Sequence, residues 1–155
     1  MTYKIPKRIG HYIIGEELKT KSCYPIHFAE KKGRKYVIKF SQTKELIQEY
    51  SLMRQLCHPN ILPVIDFFKH QNLNACVMPI ANGGDLYIFI FNLIENQTYI
   101  PETMIRILIR QILEALSYIH ELGFVHRDVK PENIFVMEPN TLDICLADFG
   151  ITRKL

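Results

Sequence analysis

The hydrophobic period of this 155-residue chain changes character at Gly83-Gly84. Before that point apolar residues come in short runs rich in β-branched and aromatic side chains. Residues 12–18 and 23–30 lean towards strand, Lys32-Gly33-Arg34-Lys35 reads as a hairpin turn, and Tyr36-Val37-Ile38-Lys39-Phe40 is strongly strand-prone. Three antiparallel strands follow. One helix interrupts them: from Thr43, residues Leu46, Tyr50, Met53 and Cys57 fall on one helical face with Leu56 beside it, until His58-Pro59-Asn60 stops the turn. Residues 64–69 and 75–80 read as two further strands around a polar turn at 70–74.

After Gly83-Gly84 the chain turns helical, with Asp85 placed to cap a short helix. A longer helix is predicted from Pro101-Glu102 to Glu121, closed by Gly123, with Ile105, Leu108, Ile109, Ile112, Leu113, Leu116 and Ile119 at helical spacing. Ile107 and Tyr118 extend the apolar residues almost around it, which predicts burial by several neighbours. A last strand pair, 134–137 and 143–146, surrounds the turn Glu138-Pro139-Asn140-Thr141. A small antiparallel sheet with one helix, followed by a mainly helical segment, is an α+β pattern. No internal repeat or low-complexity segment is present.

Composition narrows the class. The chain is 48% hydrophobic and 23% charged, a balance that favours collapse over disorder. Its longest apolar stretch, residues 86–91, is far short of the roughly 20 residues that cross a bilayer. The opening MTYKIPKRIGHY lacks the apolar core of a signal peptide, so a cytoplasmic location is expected, with the nucleus as the alternative. Cys23, Cys57, Cys76 and Cys145 are scattered, which points to buried or half-buried reduced thiols rather than a disulfide frame or zinc site. Residues 1–44 carry 11 Lys/Arg against 3 Asp/Glu, and the remainder 8 against 13. That basic third is read as a solvated surface; without interleaved aromatic residues it does not argue for nucleic acid.

The run His126-Arg127-Asp128-Val129-Lys130-Pro131-Glu132-Asn133 places acidic, basic and amide side chains in one loop, and Ala147-Asp148-Phe149-Gly150 follows beyond a strand pair. Chemically this supplies a carboxylate to accept a hydroxyl proton (Asp128), a cation for a phosphoryl group (Lys130), and two oxygen ligands suited to Mg²⁺ (Asn133 and Asp148). The spacing closely resembles the eukaryotic-type protein kinases, whose signatures are H-R-D-x-K-x-x-N and D-F-G. Lys130, two residues after Asp128, is the serine/threonine form of that loop.

The resemblance extends backwards and implies a bilobal kinase-like fold, with residues 1–80 as a β lobe and 81–155 as hinge and incomplete helical lobe. Lys39 matches the strand lysine that holds the α- and β-phosphates of ATP, and Glu49 its ion-pair partner. Residues 77–86 look like the family's hinge: Met78 as gatekeeper, the Pro79 carbonyl and Ala81 backbone facing adenine, and Asp85 near the ribose. Ile26, Val37 and Phe135 become walls of the nucleotide pocket. Each residue alone has an ordinary structural reading, Lys39 as a solvent-facing strand lysine or Glu49 as an exposed helix residue. In order and in register together, the functional reading prevails. His126 is read as a packing residue stacked with Phe149 and Met53; His11, His27, His70 and His120 are read as surface or packing residues.

Two departures stand out. The family covers the phosphates with a glycine-rich loop, because glycine lets backbone N–H groups approach the anion. Aligning Ile26 and Ala29 with the end of that motif puts Lys19, Lys21 and Tyr24 in the glycine places. Losing one or two charge-assisted hydrogen bonds of about 1.5–3 kcal/mol weakens nucleotide binding by roughly ten- to a thousandfold. Lys19 and Lys21 either attract phosphate directly or are ordinary hairpin lysines. Val37 and Phe135, where alanine and leucine are usual, enlarge the pocket walls. The second departure is the stop at Leu155, five residues past Gly150, which leaves the activation segment and later helices unaccounted for and predicts either a fragment or a partner covering residues 105–119. The expected function is an ATP- and Mg²⁺-dependent serine/threonine kinase with little activity of its own; the alternative is a degenerate kinase acting as a binding or scaffolding module.

Overall fold

The structure, a computed structural model, describes residues 4–20, 22, 24–70 and 72–155. Lys21, Cys23 and Gln71 lie outside the described residues, and with them part of the 23–30 strand reading, the 70–74 turn and the phosphate role considered for Lys21. The chain divides into two compact units, one of residues Met1–Ser51 and Val64–Ile80, the other of Leu52–Pro63 and Ala81–Leu155.

Among the described residues the first unit is built on an antiparallel sheet of β1 (Arg8–Ile9), β2 (Tyr12–Glu17), β3 (Ile26–Lys31), β4 (Arg34–Ser41), β5 (Asp66–His70) and β6 (Leu73–Pro79), in the order β1-β2-β3-β4-β6-β5. The β3–β4 turn is tighter than the four residues expected. Lys31 pairs with Arg34, and Lys32 and Gly33 both take positive φ, 52° and 74°, as a two-residue hairpin of the I′ kind requires. β1 escaped the sequence reading because two residues show no period. One face of the sheet holds Ile9, Tyr12, Ala29, Ile38, Phe40, Leu73, Ala75 and Val77 in a single buried cluster. Helix α1 (Lys44–Met53) ends four residues before Cys57. The expectation that Cys57 shares the buried helical face is therefore corrected: its backbone is in the loop after the helix and the residue is exposed, whereas Cys76 and Cys145 are buried. Burial pushes the Cys76 thiol up to about 12 and the Cys145 thiol up to about 11, so both stay protonated and unreactive.

In the second unit, α2 (Leu86–Glu95) and α3 (Glu102–Glu121) precede a two-stranded ribbon of β8 (Ile134–Glu138) and β9 (Asp143–Leu146). A second short pair joins β7 (Phe124–Val125) to β10 (Arg153–Lys154), and this too left no periodic trace in the sequence. Residues 52–63, read above with the β lobe, group with this unit. The physical reason is hydrogen bonding to β9: the Leu62 amide donates to the Leu146 carbonyl at 2.9 Å, and the Leu146 amide to the Asn60 carbonyl at 2.8 Å.

Helix α3 starts, ends and caps as the sequence implied, with Gly123 at φ 77° just past its end. Its burial differs from expectation. Met104, Leu108, Ala115 and Ile119 form the buried face, while Ile105, Ile107, Ile109 and Leu113 are 44–59% exposed. The helix is thus buried along one stripe rather than all round. No helix among the described residues is long and apolar enough to cross a membrane.

Candidate active site

Strand alternation decides where Lys39 goes. Ile38 and Phe40 point into the sheet's buried cluster, so Lys39 and Val37 emerge on the opposite face. There the Lys39 ammonium donates to both carboxylate oxygens of Glu49 from α1, at 2.8 and 3.2 Å. Both side chains are largely buried, 12% and 8% exposed, so little solvent screens the pair. Register brings other expected residues beside them: Ile26 pairs with Lys39, and Val37 with Met78. The face of the Tyr24 ring lies 4.9 Å from the Lys39 ammonium. Lys19 is exposed.

Pro79 is the last residue of β6, where a missing amide costs nothing further along the ladder. In the second unit the Ala81 carbonyl accepts from the Gly84 amide at 3.2 Å. Gly83-Gly84 is more than a turn. The Gly83 amide donates to the Val136 carbonyl (2.9 Å) and the Val136 amide to the Gly84 carbonyl (2.8 Å), which seams this segment onto β8. A Cβ on Gly83 would sit 2.7 Å from the Val136 side chain, so only glycine permits this approach. Asp85 caps α2, accepting from the Ile88 amide at 2.8 Å, and bridges to Phe135. One Asp85 oxygen is thus committed to the helix.

The loop from His126 to Asn133 is held by its own polar groups. The Asp128 carboxylate accepts from the Lys130 ammonium at 2.7 Å and from the Asn133 amide nitrogen at 2.8 Å; that nitrogen also donates to the Asp128 carbonyl at 2.9 Å. The turn Pro131–Asn133 brings Asn133 back to Asp128. Buried His126 joins two segments: Nε2 lies 2.9 Å from the Ala147 carbonyl and must donate to it, which leaves Nδ1 to accept from the Asp128 amide at 3.3 Å. Its ring meets Phe149 edge to face at 4.9 Å, as the stacking expectation required, and Met53 is buried in the same unit. The Asn133 carbonyl accepts from the Ala147 amide at 2.8 Å, so the residue preceding Asp148 is fixed to the loop.

The protein kinase domain pattern matches residues 4–155. The chain belongs to the protein kinase domain family. It is 30% identical to a probable myosin light chain kinase of Dictyostelium discoideum over 97% of this chain and 46% of that protein. A probable serine/threonine-protein kinase of the same organism is 33% identical over 85% of this chain and 18% of its own length. Among solved structures, Rad53 residues 1–466 in complex with AMP-PNP superposes with a TM-score of 0.75 at 26% identity, over 90% of this chain and 38% of that one. The chain spans less than half the length of the curated relatives it matches.

Electrostatics in this kinase domain follow from those contacts. The Lys130 ammonium, helped by the Asn133 amide, holds the Asp128 carboxyl below the usual carboxylate range, and Asp128 in turn raises Lys130. Burial lowers His126, in keeping with a neutral ring whose two nitrogens are already assigned. Asn133 and Asp148 present oxygen donors of the kind hard cations take. Both amide hydrogens of Asn133 are engaged with Asp128, which turns its oxygen outward from that knot. Asp148 is exposed at φ 61°, with one oxygen 3.4 Å from the Gly150 amide. Among the described residues no three His, Cys, Asp or Glu side chains cluster as an all-protein metal site. The Asn133 and Asp148 pair suits Mg²⁺, which keeps waters and shares phosphate oxygens.

Two participants went unnoticed in the sequence. Tyr24 takes a glycine place of the family motif, and that substitution gives no sign of its contact with Lys39. Gln111, a lone amide in an apolar helix, links α3 to Asn60 and β9; a polar residue between Leu108 and Ala115 on the inward stripe was the available signal.

Proposed function

We propose that this chain is the nucleotide-binding and catalytic-loop part of a serine/threonine protein kinase, which moves the γ-phosphoryl group of ATP to a protein hydroxyl. The observation that carries the reading is the Asp128 carboxylate, held ionised by Lys130 and Asn133. Ionised Asp128 orients a substrate hydroxyl and accepts its proton. Lys130 spends one of three N–H donors on Asp128 and keeps the others for a phosphoryl oxygen. Lys39, braced by Glu49, binds the α- and β-phosphates; by the family resemblance Ile26, Val37, Met78 and Pro79 of the first unit are assigned to adenine, and Ala81, Asp85 and Phe135 of the second to adenine and ribose. Asn133 and Asp148 would hold Mg²⁺. When bound, that ion supplies positive charge against the phosphates.

Mg-ATP binding and phosphotransfer to a serine/threonine peptide test this. Asp128→Asn is expected to lower the transfer rate by about 10²–10⁴ while retaining nucleotide affinity, and Lys39→Ala to weaken binding itself. Equal rates in all three proteins would overturn the catalytic reading.

A second reading, a kinase-like module that binds a protein partner without catalysis, draws support from the exposed apolar side chains of Ile105, Ile109 and Leu113 and from the loop without glycines. Absence of nucleotide binding in folded wild-type protein would leave this one standing.

A further inference from the structure

The Lys39 ammonium is engaged on two sides: by both oxygens of Glu49, and by the ring of Tyr24, 4.9 Å from centroid to nitrogen. The second contact has no part in the proposed catalysis. A phosphate approaching Lys39 needs the space and the charge that the aromatic face occupies. We propose that Tyr24 is a built-in cover over the Lys39 cation, which an anionic ligand must displace before it binds.

The backbone around Tyr24 holds the ring there. The Phe40 amide, next to Lys39, donates to the Pro25 carbonyl at 2.9 Å, and Ile26 pairs with Lys39 in the β3–β4 register. On the other side the Leu18 amide donates to the Ile26 carbonyl at 2.7 Å, closing the hairpin, and the Tyr24 amide donates to the Ser22 hydroxyl at 3.1 Å. The residue is therefore tethered within one side-chain length of the ammonium. Tyr24 is half-buried, so part of its side chain faces solvent. An aromatic face attracts a cation through its quadrupole, more weakly than a phosphate does through full charge. Such a contact yields to a phosphorylated ligand and raises the concentration at which that ligand binds. Glycine at this position would offer no cover.

The ligand in this inference rests on the nucleotide reading; the cover does not. Two measurements on the chain separate them. Acetic anhydride labelling of Lys39, followed by peptide mass spectrometry, reads the cover alone: Tyr24→Ala is expected to label faster than wild type, and Tyr24→Phe at the wild-type rate. Mg-ADP and adenosine titrations read the ligand. Tyr24→Ala should bind Mg-ADP about two- to thirtyfold more tightly, the span of a cation–π contact, with adenosine affinity unchanged. Tyr24→Leu, which keeps the bulk without the aromatic face, replaces Tyr24→Ala if the latter fails to fold. Unchanged Lys39 labelling overturns the cover, as does faster labelling with unchanged Mg-ADP affinity. If neither wild type nor variants bind Mg-ADP, the nucleotide reading fails and the labelling rates alone decide the cover.

Discussion

Asn60 and Gln111 meet side chain to side chain at 2.7 Å, the Asn60 amide donating to the Gln111 carbonyl oxygen. That oxygen also accepts from the Ile144 amide at 3.0 Å, while the Gln111 nitrogen donates to the Leu142 carbonyl at 2.8 Å. One glutamine thereby joins α3, the loop after α1, and β9. Gln111→Leu strands the buried Ile144 amide and is expected to cost about 1–3 kcal/mol. Gln111→Glu keeps that acceptor but turns its second oxygen on the Leu142 carbonyl, so it too should be less stable than wild type. Urea unfolding checks both; a leucine variant within about 0.5 kcal/mol of wild type would remove the keystone role.

Lys39 and Glu49 are a nearly desolvated pair, so losing one partner hurts more than losing both. Lys39→Met leaves the Glu49 carboxylate buried without its ammonium and is expected to destabilise by about 3–5 kcal/mol. The double variant Lys39→Met/Glu49→Leu should recover most of that. Denaturation midpoints of the four proteins of the cycle make the comparison, and strict additivity would contradict it.

Gly83 and Gly84 should respond differently to alanine. At Gly83 the new Cβ meets Val136 at 2.7 and 2.8 Å, pressing on a fully buried side chain and on the seam between this segment and β8, for a cost of about 1–3 kcal/mol. At Gly84 the space is open and only the positive φ of 71° opposes the change, worth about 1 kcal/mol. Thermal unfolding in which Gly84→Ala is the worse variant would reverse this account.

The Tyr12 hydroxyl donates to Asp66, and the Lys31 ammonium reaches both, at 3.3 and 3.2 Å, tying β2, β3 and β5. The Tyr12 hydrogen bond, more than the Lys31 charge, lowers the Asp66 carboxyl from its ordinary 3.8. A carboxyl depressed in the folded state adds stability above its unfolded value and loses it as pH falls through the folded one. With Asp66 37% exposed, solvent screening limits the gain to about 1 kcal/mol or less. Asp66→Asn should therefore be less stable than wild type at pH 7 and converge on it as pH falls below the ordinary carboxylate range. Parallel stability curves across that range would dismiss the linkage.

The strongest sequence signals were those that local chemistry must satisfy. β4 and α3 were legible because each holds a sustained period, and the loop from His126 to Asn133 because its side chains bond within a few residues of each other. β1, β7 and β10 were not, since two-residue strands exist only through their partners. Cys57 was misplaced because helical spacing continues on paper past the turn where α1 stops. On α3, seven aliphatic residues at helical spacing were compatible with more than one inward stripe, and the stripe chosen by packing runs through Met104 and Ala115.

The amino-acid sequence by itself determined the family and the chemical groups: Lys39, Glu49, Asp128, Lys130, Asn133 and Asp148 are identifiable from type and order alone. Tertiary structure decided their states. It made Lys39 and Glu49 a buried bidentate pair, gave His126 a neutral bridging role, and laid Tyr24 across Lys39. Those outcomes depend on which strands pair and in what register. Pairing brings together residues far apart in the chain, and its energy lies in contacts that no local pattern encodes.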